Sequence, residues 1–256
     1  MAPKDESAKQ RLDALLVIRQ LCESREKAQR LIRAGQVLVR GEPATKPGHT
    51  YPGDTPIELK QQERFVSRGG NKLEAAFTAF DLNVMGQVAI DIGASTGGFT
   101  DCLLQHGASK VYSFDVGKGQ LHWKLRQDPR VLVHENVNAR YLTAADLDDQ
   151  PTFCVMDVSF ISLTKVLPAV VSVLATGATL VTLIKPQFEA GPKNVQKGGV
   201  VRDPAVRTEV VERIREYGIR ELGLQFHGVC ESPLRGPAGN VEYLAQWTTT
   251  SNESES

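Results

Sequence analysis

From residue 67 onward, short apolar runs alternate with longer stretches in which apolar residues recur every three or four positions. The short runs predict buried strands near residues 88–92, 110–115, 130–134, 153–157 and 178–184. The longer stretches predict helices near residues 71–80, 97–106, 118–126 and 162–174. Such an alternation predicts an α/β fold with a doubly wound parallel sheet.

The C-terminal part of the chain departs from this alternation. Asp203 followed by Pro204 is typical of a helix N-cap and first turn, and it predicts a helix to about residue 217. Two last strands, at about 221–228 and 240–247, would pair as an antiparallel hairpin at the sheet edge. The polar, acidic residues 249–256 predict a disordered tail.

The first sixty residues predict a separate small α+β domain. Helical spacing extends over residues 9–21, and a second helix is expected from a Ser24 cap to Gly35. Residues 36–40 and 56–60 predict two short strands that pair as a hairpin. We therefore expect a domain over residues 1–60, a linker over 61–66 and a larger domain over 67–248.

Charge is balanced over the whole chain but not locally. The 256 residues contain 30 Lys and Arg against 30 Asp and Glu, for a net charge of zero. Residues 8–46 hold nine basic and four acidic residues, an excess of the kind that binds phosphate backbones. The polar start and the lack of a bilayer-length apolar run predict a soluble, cytoplasmic protein.

The cysteines give no sign of a disulfide framework or a metal site. Cys22, Cys102, Cys154 and Cys230 are widely scattered and form no C-x-x-C pair. We expect free, mostly buried thiols in a reducing compartment and no bound metal.

The stretch Val88-Ala-Ile-Asp-Ile-Gly-Ala-Ser-Thr-Gly-Gly-Phe-Thr100 is the strongest candidate for a ligand site. It predicts a buried strand with Asp91 near its end, then a glycine-rich loop, then a helix. We expect Gly93, Gly97 and Gly98 to let the backbone turn sharply and approach a ligand closely. A strand, loop and helix start of this kind form ligand sites at the carboxyl edge of parallel sheets.

One alternative for this loop is the nucleophile elbow of a serine hydrolase. Gly93–Gly97 matches G-x-S-x-G, and Ser95, Asp157 and His227 follow one another in the order of a catalytic triad. No His-Gly-Gly-Gly run precedes the loop, an elbow has no use for Asp91, and too little sheet precedes it. The hydrolase is therefore the weaker hypothesis.

The same stretch resembles motif I of S-adenosylmethionine-dependent methyltransferases. Its D-x-G-A-S-x-G-G-F-T pattern is similar to that of the hemolysin A (TlyA) family of RNA 2′-O-methyltransferases, which join an S4 domain to an FtsJ-like methyltransferase domain. Four further segments carry the resemblance: Val66–Leu73, Asp157–Ser162, Lys185–Glu189 and Gly239–Tyr243. The basic N-terminal segment resembles the S4 module in Ser24-Arg25-x-x-Ala28 and in Leu31-Ile32-x-x-Gly35-x-Val37.

The resemblance implies S-adenosylmethionine as the cofactor. It places Asp91 near the methionine end, Asp115 at the ribose hydroxyls, and either Asn136 or Asn138 at the adenine edge. The full set of implied cofactor-binding residues is Asp91, Gly93, Ala94, Ser95, Thr96, Gly97, Gly98, Phe99, Asp115, Val116, Asn136, Asn138 and Asp157.

The resemblance also implies a Lys-Asp-Lys-Glu tetrad made of Lys72, Asp157, Lys185 and Glu242. A ribose 2′-hydroxyl is almost wholly protonated at neutral pH, so its methylation needs a base. Lysine accepts a proton only when neutral, a form that burial and neighbouring cations favour. We expect Lys185 to be the base and Asp157 to orient it, with Lys72 and Glu242 as positioning residues.

The expected partner is ribosomal RNA, in free or subunit form, with cytidine as the implied target. Candidate RNA contacts are Arg11, Arg25, Arg30, Arg33, Lys46 and Arg68. The sequence favours three other functions less. An enzyme that methylates a base nitrogen would need the motif Asn/Asp-Pro-Pro-Tyr/Phe after strand four, which is missing. A relict RNA-binding or assembly protein would not need the tetrad, and no segment suits a membrane pore. The target nucleotide, the ribosomal subunit and the oligomeric state stay open.

Overall fold

A computed structural model describes residues 9–60, 64–236 and 238–250. The chain divides into two compact units, Met1–Glu63 and Arg64–Ser256. Each unit has its own hydrophobic core.

In the smaller unit, two helices pack against short antiparallel strands. The Ser24 hydroxyl accepts a hydrogen bond from the Lys27 amide and so caps the second helix, as predicted. Gly35 follows that helix with φ +66°, which a glycine adopts without strain. The elements are α1 Leu12–Ile18, α2 Arg25–Arg33, β1 Gln10–Arg11, β2 Val37–Val39, β3 Glu42–Ala44, β4 Thr50–Tyr51 and β5 Ile57–Leu59.

Strand β2 pairs antiparallel with both β3 and β5, which confirms the predicted pairing of residues 36–40 with 56–60. The first helix is shorter than the predicted 9–21. It ends at Ile18, since Gln20 has a left-handed backbone (φ +58°), and residues 10–11 pair as a strand with β4. The buried core of this unit is mainly Leu12, Leu15, Leu16, Ala28, Ile32 and Val37.

The larger unit contains one seven-stranded sheet within the described residues. Five adjacent strands are parallel, and the last two form an antiparallel hairpin at one edge, so the predicted α/β fold is confirmed. The strands are β6 Val88–Ile92, β7 Lys110–Asp115, β8 Val131–Glu135, β9 Phe153–Met156, β10 Thr179–Ile184, β11 Gln225–Glu231 and β12 Tyr243–Thr248. Their order across the sheet is β11-β12-β10-β9-β6-β7-β8.

Helices cover both faces of this sheet. Leu73 and Phe77 pack with Leu103 in one core cluster, while Val170 and Ile214 belong to the cluster on the other face. The fold is therefore doubly wound. The helices are α3 Gly69–Phe80, α4 Gly98–Gln105, α5 Trp123–Arg126, α6 Leu167–Ser172, α7 Pro186–Glu189 and α8 Pro204–Leu222.

Four predicted boundaries in this unit are wrong. The helix predicted over 118–126 is the single turn α5, and the one predicted over 162–174 is split into a 3₁₀ turn, Leu163–Lys165, and α6. Helix α8 does not stop before Gly218, because the lack of a side chain there lets Trp247 pack against the helix. It ends where Gly223 takes φ +61°, so the next strand starts at 225 rather than 221.

Both ends of the larger unit contain more ordered contacts than the sequence suggests. The predicted linker 61–66 is wrong at its end: Phe65 is buried in the core, and the Val66 amide donates to the Asp101 carboxylate. In the predicted tail, Thr249 is buried and its hydroxyl donates to the Ala175 carbonyl. Residues 61–63 and 251–256 lie outside the described part of the chain. No helix among the described residues is long and apolar enough to cross a membrane.

The packing of Phe65 predicts opposite effects for two adjacent glycines. A Cβ at Gly70 would lie 2.5 Å from the Phe65 Cβ, whereas one at Gly69 would make only ordinary contacts of 3.4 Å or more. We expect Gly70→Ala to lower the free energy of unfolding by about 1–3 kcal/mol through overpacking. Gly69→Ala, the matched control, should be neutral or slightly stabilising, since alanine favours helix. Urea denaturation of both variants tests this, and equal stabilities would contradict it.

Candidate active site

The glycine-rich loop after β6 is shaped by contacts with the protein itself. Gly93 has φ +85°, and a Cβ there would lie 2.5 Å from the Asp157 carbonyl oxygen. A Cβ at Gly98 would lie 2.7 Å from the Gly70 amide nitrogen, and one at Gly97 would overlap Leu125. The three glycines therefore have a structural reason in addition to the predicted approach to a ligand. They let the loop pack against neighbouring backbone and side chains.

Two adjacent cavities open beside this loop. The first, about 370 Å³, is lined by residues that include Lys72, Asp157 and the loop itself; we name it the catalytic cavity. The second, about 430 Å³, is lined mainly by apolar side chains with Asp115 at the end of β7; we name it the nucleoside cavity. Gly93, Ser95 and Asp157 line both, so the two cavities meet at the carboxyl ends of the strands.

Asp115 has a fixed orientation in the nucleoside cavity. One carboxylate oxygen accepts the Ser95 amide at 2.8 Å and the other accepts the Gly117 amide at 2.7 Å. Each oxygen keeps a second lone pair for a further donor. The arrangement suits a ligand that offers two neighbouring hydroxyl groups.

Two lysine–carboxylate pairs reach the catalytic cavity from four distant segments. Lys72 Nζ lies 2.6 Å from a Glu242 oxygen, and Lys185 Nζ lies 2.5 Å from an Asp157 oxygen. Glu242 is 1% exposed and the two lysines about 10%, so both pairs are largely shielded from water. Lys72 and Asp157 line the cavity directly.

Two residues that the sequence analysis did not single out complete these pairs. Lys185 also donates to the Ser159 hydroxyl at 2.8 Å, and the Gln187 amide donates to the second Glu242 oxygen at 3.1 Å. Ser159 follows Asp157 by two residues in the sequence Asp-Val-Ser, and Gln187 follows Lys185 by two residues in the sequence Lys-Pro-Gln. Through Gln187, the Lys185 segment is tied to Glu242.

Lys185 has the backbone conformation expected from the proline that follows it. Its φ of −112° and ψ of 100° are extended, and Pro186 begins the short helix α7. A lysine fixed in this way leaves the end of β10 with its side chain directed by Asp157 and Ser159.

Asp91 lies elsewhere than predicted. It is completely buried and lines neither cavity; one oxygen accepts the Thr100 hydroxyl at 2.6 Å, and that hydroxyl lies 2.8 Å from the Ser113 hydroxyl. The other oxygen has no partner among the described residues. Burial raises the pKa of Asp91 to about 7, and the nearby carboxylates of Asp157 and Asp115 add to the rise. The structure thus places Asp91 behind the loop, next to α4.

The remaining predicted residues divide between those at the cavities and those away from them. Asn138 and Val116 line the nucleoside cavity, whereas Asn136 and Gly97 line neither cavity. The catalytic cavity is lined by the other predicted residues Arg68, Ala94, Thr96, Gly98 and Phe99, and by Arg235, which the sequence analysis missed.

In the smaller unit, a buried aspartate organises part of the basic surface. Asp13 accepts hydrogen bonds from Arg11, Arg25 and Gln29, and these donors hold the pKa of its carboxyl far below the usual range. Arg11 and Arg25 keep about half of their side chains exposed, so both are oriented by Asp13 rather than freely mobile. Arg30, Arg33 and Lys46 are exposed and form no ion pair within the described residues.

The residues of the alternative hydrolase triad are not brought together. Ser95 Oγ donates to Gln120, while a His227 ring nitrogen lies 2.6 Å from the Thr248 hydroxyl. Thr248 pairs with Thr179, the first residue of β10, so His227 lies towards the opposite edge of the sheet from Ser95. This geometry removes the serine hydrolase hypothesis.

Among the described residues, Glu74, Cys102 and His106 form a compact group away from the cavities. Glu74 accepts from Cys102, lies 2.7 Å from the His106 ring and pairs with Arg64 at 2.8 Å. Burial and Glu74 raise the pKa of the Cys102 thiol, which disfavours the thiolate that binds metals. The group is satisfied by its own hydrogen bonds.

Comparison with known proteins agrees with this geometry. The model of the family described as FtsJ-like methyltransferase matches residues 65–248, which include both cavities. This chain belongs to the FtsJ-like methyltransferases. The S4 domain model matches residues 10–55, within the smaller unit.

Individual relatives place the chain more narrowly within the FtsJ-like methyltransferases. It is 46% identical over 245 residues to "16S/23S rRNA (cytidine-2'-O)-methyltransferase TlyA" of Mycobacterium tuberculosis, covering 95% of this chain and 91% of that one. It is 44% identical over 242 residues to "Hemolysin A" of Brachyspira hyodysenteriae, covering 93% and 99%. A solved structure from Streptococcus thermophilus, described as a candidate hemolysin, has a TM-score of 0.73 at 43% identity and covers 96% and 90%. The predicted membership of the TlyA/hemolysin A family is confirmed.

The buried Asp91 predicts a specific pH dependence of stability. Its pKa is 3.8 in the reference state and about 7 in the fold, so between these values the folded chain holds a proton that the unfolded chain releases. The contribution is therefore complete below about pH 4 and is lost as the pH rises through 7. We expect the wild type to lose about 2–4 kcal/mol more than Asp91→Asn between pH 4 and 8. Urea denaturation at both pH values measures the difference, and parallel pH profiles would contradict it.

Proposed function

We propose that the chain transfers a methyl group from S-adenosylmethionine to the ribose 2′-hydroxyl of a cytidine in ribosomal RNA. The observation that carries the proposal is the pair of shielded lysine–carboxylate contacts at one cavity beside the glycine-rich loop. The substrate follows from the relative named as a ribosomal RNA cytidine-2′-O-methyltransferase. A protein that methylates ribosomal RNA would act in the cytoplasm.

The two cavities fit the proposed cofactor. In the nucleoside cavity, Asp115 would accept the two ribose hydroxyls, Asn138 would face the adenine edge, and Val116, Val137 and Ile161 would contact the ring. The loop that lines both cavities would hold the methionine part, with Asp157 near its positive charge. When bound, the cofactor supplies an electrophilic methyl group.

We assign Lys185, rather than Lys72, as the residue that takes the 2′-hydroxyl proton. Its Nζ is directed by both Asp157 and Ser159, and Asp157 lines the two cavities. In its neutral form Lys185 would accept the proton, and Asp157 would stabilise the ammonium that results. Glu242, held by Gln187, would keep Lys72 at the other side of the cavity as a donor to the 2′-oxygen.

Several residues near the cavities would contact the RNA. Arg68 and Arg235 line the catalytic cavity, where a phosphate next to the target ribose could be neutralised. Phe160 is 91% exposed at the edge of the nucleoside cavity and has φ +63°, a costly conformation for an aromatic residue. Its exposed ring, which packs at an angle against Phe188, offers a stacking surface for an unstacked base. In the smaller unit, Arg11, Arg25, Arg30, Arg33 and Lys46 would contact RNA phosphates.

The base assignment predicts that two different substitutions at Lys185 both abolish most of the methyl transfer. Lys185→Met keeps the length of the side chain but cannot accept a proton, and single-turnover methyl transfer should fall by about 10²–10⁴-fold. Lys185→Arg should fail as well, because a guanidinium stays protonated. Transfer to unmodified ribosomal subunits at saturating RNA, with the methylated nucleotide mapped, isolates chemistry from binding.

Two controls keep this result interpretable. Calorimetric binding of S-adenosylmethionine should persist in both variants, which shows that the fold survives the loss of one ion-pair partner. Near-wild-type transfer by Lys185→Arg would make Lys185 an electrostatic residue and refute the base. No transfer by the wild type to either subunit would refute the proposed function.

The smaller unit predicts that unpaired cations contribute more to RNA binding than paired ones. Arg33 forms no ion pair within the described residues, whereas Lys27 on the same helix is paired with Glu23 at 2.8 Å. We expect Arg33→Gln to lower the salt slope of binding to ribosomal subunits by about one, the loss of one phosphate contact. Lys27→Gln, which removes the same charge, should change the slope little. Equal slopes for the two variants would contradict this role of Arg33.

A further inference from the structure

A third cavity of about 320 Å³ lies at the start of helix α8 and is rich in arginine. Its lining includes the side chains of Arg202, Arg207 and Arg235, set between the buried residues Val201 and Val241. We name it the arginine cavity. Arg235 also lines the catalytic cavity, so the two cavities share a wall.

Within the described residues, the three arginines of the cavity lack the ion-pair partners that Arg215 and Arg220 of helix α8 have. Arg215 is paired with Glu212, and Arg220 lies 3.7 Å from Glu216. Within residues 64–236 and 238–250, by contrast, no carboxylate forms an ion pair with any of the three arginines of the cavity. Three unpaired positive charges around one concave space repel one another, which favours the binding of an anion there.

Arg207, which lines the arginine cavity, contains a buried and unsatisfied donor. Arg207 Nε is shielded from solvent and has no hydrogen-bond partner among the described residues. Buried donors are nearly always paired, so this N–H is a place where an acceptor is missing. The nearby Asp203 does not fill the role, because it caps α8 through the Ala205 amide and is not part of the lining.

The wall of the arginine cavity is held to the catalytic residues. Buried Asn240 accepts the Val201 amide at 2.9 Å and donates to the Gly199 carbonyl at 2.8 Å, which joins the two chain segments that form the wall. Glu242 follows Asn240 by two residues, and a Cβ at Gly236 would lie 2.5 Å from the Glu242 side chain. The spacing between the cavity and the Lys72–Glu242 pair is thereby fixed.

We propose that the arginine cavity binds a backbone phosphate of the RNA, close to the nucleotide whose ribose enters the catalytic cavity. Guanidinium groups bind phosphate oxygens with two parallel hydrogen bonds, and Arg235 would lie between the phosphate and the target ribose. This inference rests on the proposed RNA substrate. The cavity holds one phosphate in position and takes no part in proton transfer.

The test compares two double variants of the full chain that remove the same charge from the same helix region. Arg202→Gln/Arg207→Gln empties the cavity of two donors and leaves Arg235 in place. Arg215→Gln/Arg220→Gln is the control, since both of its arginines are already paired. The measurements are the salt dependence of binding to unmodified ribosomal subunits, and KM and kcat for methyl transfer.

We expect the cavity variant to lower the salt slope by about one and to raise KM for the subunits, with kcat retained. The control should match the wild type in its salt slope, its KM and its kcat. Arg202→Lys/Arg207→Lys keeps the charge and should restore most of the slope, a rescue that a purely structural role of the arginines would not give.

Unchanged binding in the cavity variant, or the same loss in the control, would overturn the proposal. A lower kcat with unchanged KM would also overturn it, because it would place these arginines in the chemistry. The binding measurement does not depend on methylation. A wild type that binds RNA through the cavity but transfers no methyl group would refute the proposed function and leave this inference standing. If the double variant fails to fold, the exposed Arg202→Gln alone is judged by the same slope.

Discussion

The close approach of Gly93 to the backbone of Asp157 is the contact on which the geometry of both main cavities depends. The two residues follow adjacent parallel strands, and the Asp157 amide donates to the Ile92 carbonyl at 2.9 Å. The amides of Gly93 and Ala94 both donate to the Phe114 carbonyl, which ties in the third strand. Because backbone hydrogen bonds fix the ends of β6, β7 and β9 against one another, Asp157 and Asp115 hold their positions before any ligand arrives.

The two lysine–carboxylate pairs depend on this frame and in turn restrict what the site can do. Breaking a buried pair by removing one partner costs about 3–5 kcal/mol, since a shielded charge is left without compensation. Glu242 is the most buried of the four and receives donors from both Lys72 and Gln187. The site is therefore preorganised by the protein before any ligand binds.

The sequence predicted the features that depend on periodicity and on the order of motifs. All seven strands of the sheet were expected, because buried parallel strands are short apolar runs whatever their neighbours are. Helix ends were less predictable: α8 continues through Gly218, where Trp247, far later in the chain, fills the space beside it.

The positions and contacts of individual side chains were harder to predict from the sequence than the strands. Asp91 lies near the end of its strand, as expected, yet its carboxyl points behind the loop to Thr100. The spacing of residues in the sequence does not indicate that direction. Asp13 was not singled out at all, although it organises Arg11 and Arg25, because a buried carboxylate in a short amphipathic helix gives no sequence signal. The Gln187 and Ser159 contacts likewise depend on where loops meet in space.

The net charge of zero conceals two kinds of cation, those that are paired with a carboxylate and those that are not. The two kinds are suited to different tasks. Lys72 and Lys185 are neutralised in place by Glu242 and Asp157, so the catalytic cavity does not attract phosphate through them. The arginine cavity contains the opposite arrangement, with positive charge and no described carboxylate to cancel it. Had the lysines been unpaired, a phosphate could occupy the catalytic cavity and exclude the ribose. Under the proposed function, the carboxylates would thus serve selectivity as well as orientation, since they would direct the phosphates of the RNA to the arginines and leave the lysines to the hydroxyl group.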